Sequence, residues 1–205
     1  QRQMCIRDRD WLGLPYTHSG LRASALAMDK AAAKAAFAAA GLPVAPSRIV
    51  SPEELEAADP LPRPFVVKPV NEGSSVGVEI FREGDNRRAD VARAWTYDRR
   101  IMAEAYIPGR ELTVAVMGDR PLDVTEIDTG HVFYDYDAKY ADGGSRHTLP
   151  APVHPSIREQ AMDVALRAHQ ALGCRGVSRA DFRYDDTAGE PGQLYICLLY
   201  TSPSP

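Results

Sequence analysis

The hydrophobic periodicity of the chain changes from one segment to the next, and the two periods predict different elements. Between residues 154 and 172, apolar side chains recur every three or four positions, which is the spacing of one buried helix face. Between residues 178 and 184, polar and apolar residues alternate strictly, so Arg179, Asp181 and Arg183 share one face of a predicted strand. The chain is therefore predicted to combine helices with strands.

Cap and turn residues mark the other predicted elements. An alanine-rich helix is expected over residues 28–40, because alanine has the highest helix propensity and Gly41 and Pro43 follow it. Ser51 and Glu54 form a capping box that predicts a second, short helix. The remaining predictions are a helix over residues 90–97, loops over residues 71–77 and 129–152, and strands over residues 65–68, 78–81, 100–106, 111–117, 121–127 and 194–200.

The order of these elements predicts two lobes. Helices and strands are mixed before about residue 100, whereas successive strands with tight turns follow it. This change indicates an α+β fold of two α+β lobes with a ligand cleft between them. The loop over residues 129–152 is longer than most connections, and such loops are either functional lids or disordered segments.

Composition excludes several classes of protein. With 44% hydrophobic and 25% charged residues, the chain of 205 residues is typical of a globular protein, and no apolar run reaches the ~18–20 residues of a membrane helix. The net charge of −4 lacks the basic excess of a nucleic-acid-binding protein. The three cysteines are widely spaced and odd in number, so we expect no disulfide framework and a reducing, cytoplasmic location.

One candidate site is the lysine that ends the predicted strand over residues 65–68. Lys68 precedes Pro69 and then a Gly- and Ser-rich loop over residues 71–77. Glycines let backbone N–H groups approach an anion, and serines add hydroxyl donors, so this segment is a candidate phosphate site. It is not a Walker A motif. The alternatives are an ordinary turn and a lysine that extends its ammonium into solvent.

A second candidate is the carboxylate on the alternating strand. Asp181 lies between Arg179 and Arg183, which is suited to a Mg²⁺ ligand beside an anion-stabilising arginine. The alternative is a solvated strand face with compensating charges. Glu104 and Glu111 flank a strand–turn segment that could line the same pocket, although surface carboxylates have the same spacing.

Seven motifs in order resemble those of bacterial D-alanine–D-alanine ligases, which are ATP-grasp enzymes. The resemblance extends from about residue 12 to residue 196. The motifs are Gly13-Leu14-Pro15-Tyr16, residues 24–30, Val67-Lys68-Pro69 with residues 72–77, residues 109–114, residues 133–140, residues 172–176 and Ser178-Arg179-Ala180-Asp181. The resemblance implies an ATP-grasp fold with ATP in the cleft between the two lobes.

The resemblance also implies a role for each matching residue. It assigns to ATP the residues Lys30, Lys68, Glu72, Gly73, Ser75, Glu104, Tyr106, Ile107, Glu111, Phe133 and Lys139. The lysines would contact the phosphates, with Lys139 reaching the γ-phosphate, and residues 104–107 would hold adenine. Tyr140 and Ser74 would orient the substrate. Arg179 would stabilise the acyl phosphate and the oxyanion, and Asp181 would hold Mg²⁺, with Mn²⁺ as a substitute.

The resemblance fails at both ends of the chain. Family members carry an N-terminal α/β domain, and they have a glutamate and an asparagine where Leu198 and Tyr200 stand, neither of which ligates Mg²⁺. We therefore expect a fragment of the enzyme. Its predicted parts are a foreign or disordered tail at 1–11, the remnant of an N-terminal domain and linker at 12–27, the central lobe at 28–103, an incomplete C-terminal lobe at 104–196, and a second foreign or disordered tail at 197–205.

The implied activity is the ATP-dependent ligation of two D-alanines through an acyl phosphate, for peptidoglycan precursor synthesis. We expect D-alanine and ATP as partners, no nucleic acid or membrane, and a homodimer for the full-length enzyme. We expect this truncated chain to be inactive. One alternative is a D-alanine–D-lactate ligase or another ATP-grasp carboxylate–amine ligase, although Tyr140 favours the dipeptide product. The other alternative is a non-catalytic ATP-binding module.

Overall fold

A computed structural model describes residues 2–73, 75–128 and 145–201 of the chain. Its helices are α1 (Arg2–Leu12), α2 (Leu21–Met28), α3 (Lys30–Ala39), α4 (Pro52–Ala57), α5 (Arg88–Arg93) and α6 (Pro155–Ala171). Its strands are β1 (Ser47–Val50), β2 (Phe65–Pro69), β3 (Glu79–Phe81), β4 (Ile101–Ala105), β5 (Arg110–Met117), β6 (Arg120–Asp128), β7 (Arg146–Thr148), β8 (Val177–Asp185) and β9 (Gln193–Tyr200).

The alanine-rich segment forms helix α3, which begins at Lys30, two residues later than predicted, because helix α2 ends at Met28. Asp29 separates α2 from α3 because its backbone is extended and its carboxylate accepts a hydrogen bond from the N–H of Ala32, 2.9 Å away. Propensity alone does not reveal this N-cap inside a helix-favouring run. The predicted capping box is present at α4, where the Ser51 hydroxyl accepts from the Glu54 N–H at 3.2 Å.

The first sheet has the strand order β1-β4-β2-β3, and all its pairs are antiparallel. Alternate residues of its strands are buried against helices α4 and α5, with Leu55 and Ala92 contributed by those helices. The opposite face carries Lys68 of β2 and Glu104 of β4. A strand displays successive side chains on opposite faces, so the sheet separates an apolar core from a polar wall.

The second sheet has the strand order β7-β6-β5-β8-β9, and helix α6 packs on one of its faces. The predicted apolar stripe of α6 is buried there together with alternate residues of the strands. Ala33 and Phe37 of α3 belong to the same core. Helix α3 therefore packs on the second sheet, whereas the sequence placed it in the central lobe. The expected boundary between residues 103 and 104 falls inside strand β4.

The chain ends are more ordered than the sequence suggested. Residues 2–12 form helix α1, in which Ile6 is 7% exposed, and β9 continues to Tyr200 with Leu199 2% exposed. Buried apolar side chains anchor both segments, so the expectation of disordered tails does not hold for their described residues. The expected foreign origin of the tails stays a prediction.

The segment before α2 is docked on the second lobe. The buried Ser19 hydroxyl donates to the carbonyl of Arg175 at 3.0 Å, and the Arg175 guanidinium lies 4.3 Å from the centre of the Tyr16 ring. Gly176 has φ +69°, and a Cβ at this position would lie 2.0 Å from the Thr17 carbonyl oxygen. Only glycine fits this close approach of two backbones.

Candidate functional site

A cleft of about 1480 Å³ lies between the polar faces of the two sheets. Every predicted site residue that the structure describes lines it: Lys30, Lys68, Glu72, Gly73, Ser75, Glu104, Tyr106, Ile107, Glu111, Arg179 and Asp181. The other predicted site residues, Ser74, Phe133, Lys139 and Tyr140, lie outside the described residues. The predicted strand alternation accounts for the far wall, because Arg179, Asp181 and Arg183 face the cleft while their neighbours pack under α6.

The near wall is organised around Glu104, whose carboxylate accepts hydrogen bonds from two lysine ammonium groups. Lys68 lies on the neighbouring strand β2, and Lys34 reaches Glu104 from helix α3. The side chains are nearly buried, with 12% exposure for each lysine and 9% for Glu104. The resemblance assigned Glu104 to the adenine hinge, but here its carboxylate also forms ion pairs with both lysines.

Burial and mutual attraction compete in this group of three charges. Burial opposes the charged form of Glu104, but the two lysines outweigh it and lower the pKa of the carboxyl. Burial likewise opposes the Lys68 ammonium, and the attraction of Glu104 raises the Lys68 pKa above its ordinary value. For Lys34 burial prevails, so its pKa is lowered.

Lys30 holds the end of strand β2 and the start of the Gly- and Ser-rich loop against helix α3. Its ammonium donates to the carbonyl oxygens of Pro69 at 3.0 Å and Val70 at 3.4 Å, and also to that of Glu72. Burial and the neighbouring Lys68 charge lower the pKa of Lys30 to about 8. The resemblance assigned Lys30 to ATP phosphates, and its position in the cleft suits that role, but its protons are here directed to the loop backbone.

The Gly- and Ser-rich loop turns back tightly beneath the cleft. The Val76 N–H donates to the carbonyl of Gly73 at 3.1 Å, and Ser75 has a positive φ of 61°. Gly77, at φ +69°, is packed so closely that a Cβ would lie 2.5 Å from the Tyr97 ring. These contacts hold the loop backbone beside Lys30 and Lys68, as a phosphate site requires.

Asp181 is engaged by protein groups on both of its oxygens. The Arg179 guanidinium donates to them at 2.9 and 3.1 Å, and the Thr113 hydroxyl donates to Oδ1 at 2.7 Å. The guanidinium carbon of Arg179 also lies 4.6 Å from the centre of the Tyr200 ring. Asp181 is thus the acceptor of a bidentate ion pair whose arginine rests on an aromatic face.

The residues around Asp181 do not fit a magnesium ion. Directly across the ladder from Asp181 is Leu198, and across from Arg179 is Tyr200. A leucine offers no lone pair, and Mg²⁺ prefers carboxylates and other hard oxygen donors. In the described ranges, no group of three or more His, Cys, Asp or Glu side chains is placed to hold a metal ion.

Sequence reasoning missed three residues of the cleft region. Lys34 follows Lys30 by four positions, so the two share a helix face, and that spacing is the one indication of its role in the sequence. Cys197 occupies a bulge of β9 and lines the cleft, where burial raises its pKa to about 12. Tyr200 was identified only as a lost metal ligand, whereas it supports Arg179.

Among the described helices, none is long and apolar enough to cross a membrane.

The architecture matches a solved ligase structure. The chain superimposes on the VanG D-Ala:D-Ser ligase from Enterococcus faecalis with a TM-score of 0.81 and 28% identity, over 98% of this chain and 60% of that one. Two antiparallel sheets that enclose a lysine-lined cleft, in this arrangement, define an ATP-grasp protein. The model of the family described as D-ala D-ala ligase C-terminus matches residues 36–204, so the chain belongs to this family.

Curated relatives agree with this assignment. The D-alanine–D-alanine ligase of Granulibacter bethesdensis and that of Acidiphilium cryptum are each 63% identical to the chain over 194 residues. Each match covers 95% of this chain and 63% of the relative. The chain therefore spans somewhat less than two thirds of the length of these enzymes.

Proposed function

We propose that the cleft binds ATP and that the protein represented by this chain joins two D-alanines through an acyl phosphate, for peptidoglycan precursor synthesis. The observation that carries the proposal is the convergence of Lys30, Lys68 and Arg179, from three separate elements, on one cleft beside a Gly- and Ser-rich loop. The family assignment and the names of the curated relatives support the same reaction.

The chemistry of the walls suits phosphoryl transfer to a carboxylate. Such reactions depend mainly on positioning and on cations directed at developing negative charge. Lys68 is held in place by Glu104, and Arg179 by Asp181, so neither cation needs to be reorganised when phosphates arrive. The assigned roles of Ser74, Phe133, Lys139 and Tyr140 stay part of the proposal, because these residues are outside the described ranges.

The 205-residue chain as written is expected to bind ATP without forming D-alanyl-D-alanine. Asp181 lacks the partner carboxylate that a metal site needs, so the charge of a transferring phosphoryl group is incompletely compensated. The same observation favours a second candidate function, a non-catalytic ATP-binding module. Phosphate release with D-alanine, together with chromatographic detection of the dipeptide, tests the expectation, and product from the unmodified chain would contradict it.

Calorimetric titration with ATP tests the nucleotide site. Lys68→Ala is expected to weaken ATP binding about tenfold or more, since a charge-assisted contact contributes roughly 1.5–3 kcal/mol. Arg93→Ala is the matched control, because Arg93 is an exposed cation paired with Glu56 away from the cleft. Equal ATP affinity of Lys68→Ala and the unmodified chain would remove Lys68 from the site.

A further inference from the structure

We infer that the nucleotide site of this chain binds its nucleotide without a divalent cation, because Arg179, paired with Asp181 and supported by Tyr200, occupies the carboxylate on which a metal would be held. The inference rests on the proposed function and specifies the form of the ligand. The metal-free nucleotide anion binds at least as tightly as the Mg²⁺ complex of the nucleotide. It follows from the misfit between the donor set of the cleft and Mg²⁺.

Within the described part of the chain, protein cations pair with four carboxylates along the cleft. Asp181 accepts from Arg179, Glu104 from two lysines, Asp29 from Arg100 at 3.1 Å and Asp123 from Arg158 at 2.6 Å. An entering Mg²⁺ would have to displace one of these cations and their directed hydrogen bonds. It would gain only one carboxylate at Asp181, because Leu198 stands across the ladder.

Tyr200 positions the arginine that occupies this place. The Arg179 side chain is 45% exposed, yet its guanidinium contacts both the Asp181 carboxylate and the Tyr200 ring. A planar guanidinium stacks on an aromatic face and binds a carboxylate through two parallel hydrogen bonds, so both contacts fix its orientation. Arg179 consequently presents a fixed positive charge to the cleft from the wall on which a metal would otherwise be held.

The test compares ATP binding in EDTA with ATP binding in saturating Mg²⁺, by calorimetry on the unmodified 205-residue chain. We expect measurable ATP binding in EDTA. Mg²⁺ should not tighten ATP binding and should weaken it by up to about tenfold, because the metal masks phosphate charge that Lys68 and Arg179 would contact. Tightening by Mg²⁺ of tenfold or more would overturn the inference and leave the proposed ATP site intact. Absence of binding in both buffers would contradict the proposed function and the inference together.

Two variants make the comparison specific. Leu198→Glu places a second carboxylate across from Asp181 and is expected to create a Mg²⁺ requirement, with ATP binding roughly tenfold or more tighter in Mg²⁺ than in EDTA. Leu122→Glu adds the same charge elsewhere along the cleft, on strand β6, and is expected to create none. A Mg²⁺ requirement in both variants, or in neither, would contradict the assigned geometry.

A direct metal titration keeps the inference testable if Leu198→Glu does not fold. Electron paramagnetic resonance of Mn²⁺ added to the unmodified chain, with ATP absent, reports ion binding without any need for activity. We expect Mn²⁺ to stay in its free form at protein concentrations of about 100 μM, since Mg²⁺-type sites rely on one or two available carboxylates plus phosphates. A bound-ion spectrum that disappears in Asp181→Asn would overturn the inference.

Discussion

Replacing Glu104 by glutamine removes the one carboxylate between two nearly buried lysines, and we expect this change to destabilise the fold strongly. Glutamine has nearly the same shape, so packing is kept while the negative charge is lost. Lys34 and Lys68 are each 12% exposed in their side chains, so water can replace Glu104 as their partner only in part. Removing one member of a buried charged group leaves uncompensated charge, which costs about 3–5 kcal/mol.

The two neighbouring lysines make the expected effects unequal. Lys34→Met leaves the Glu104–Lys68 pair intact and electrically neutral, and it removes the lysine whose pKa is lowered by burial. We therefore expect a loss of only about 1 kcal/mol or less in the free energy of unfolding. The double variant Lys34→Met/Glu104→Gln contains one unpaired buried lysine instead of two, so it should be more stable than Glu104→Gln alone.

Urea denaturation at pH 7, followed by circular dichroism, measures these differences. Glu56→Gln is the matched control, since it breaks an exposed ion pair with Arg93 and should change the free energy of unfolding by less than about 1 kcal/mol. The folded-state pKa of Glu104 is below its ordinary value of 4.5, so the carboxylate stabilises the fold above that pH. The difference between the unmodified chain and Glu104→Gln should shrink as the pH falls through the folded-state pKa.

Two results would refute this reasoning. One is a Glu104→Gln variant within about 1 kcal/mol of the unmodified chain, since a buried charged group cannot lose its only carboxylate at so small a cost. The other is a double variant that is less stable than Glu104→Gln, because that order would show that Lys34 stabilises the fold independently of Glu104.

Two further predictions concern the docked segment and the pH dependence of nucleotide binding. Gly176→Ala should lower the melting temperature much more than Gly173→Ala. Both glycines have positive φ, but only at Gly176, of these two, would the added Cβ strike a backbone carbonyl, that of Thr17. Equal shifts of the melting temperature would refute this prediction. ATP affinity should fall by up to about tenfold as pH rises from 7 to 9, because Lys30, with a pKa of about 8, loses its charge. Lys30→Met should flatten this dependence of ATP affinity on pH. If the variant and the unmodified chain show the same dependence, Lys30 is excluded as a phosphate contact. The titration of Lys30 does not itself destabilise the fold in this range, since between about pH 8 and 10.5 the unfolded state binds more protons at this lysine and its contribution to stability rises with pH.

Much of the fold could be predicted from short stretches of the sequence. The alternation over residues 178–184 placed Arg179 and Asp181 on the cleft face, and the Ser51 capping box located the start of α4. Such features depend on backbone periodicity and on contacts within a few residues, which a sequence displays directly. The choice of cleft residues came from motif resemblance, and all of those in the described ranges do line the cleft.

Only the tertiary structure decided how the charges of the cleft are paired. Glu104 is 70 residues from Lys34 and 36 from Lys68, and no local pattern indicates that helix α3 brings Lys34 to that carboxylate. The stacking of Arg179 on Tyr200 likewise depends on the register of β8 with β9. Charge pairing and pKa values follow from burial and from distances between remote segments, so they are set when the two sheets and helix α3 pack together and not by the order of residues along the chain.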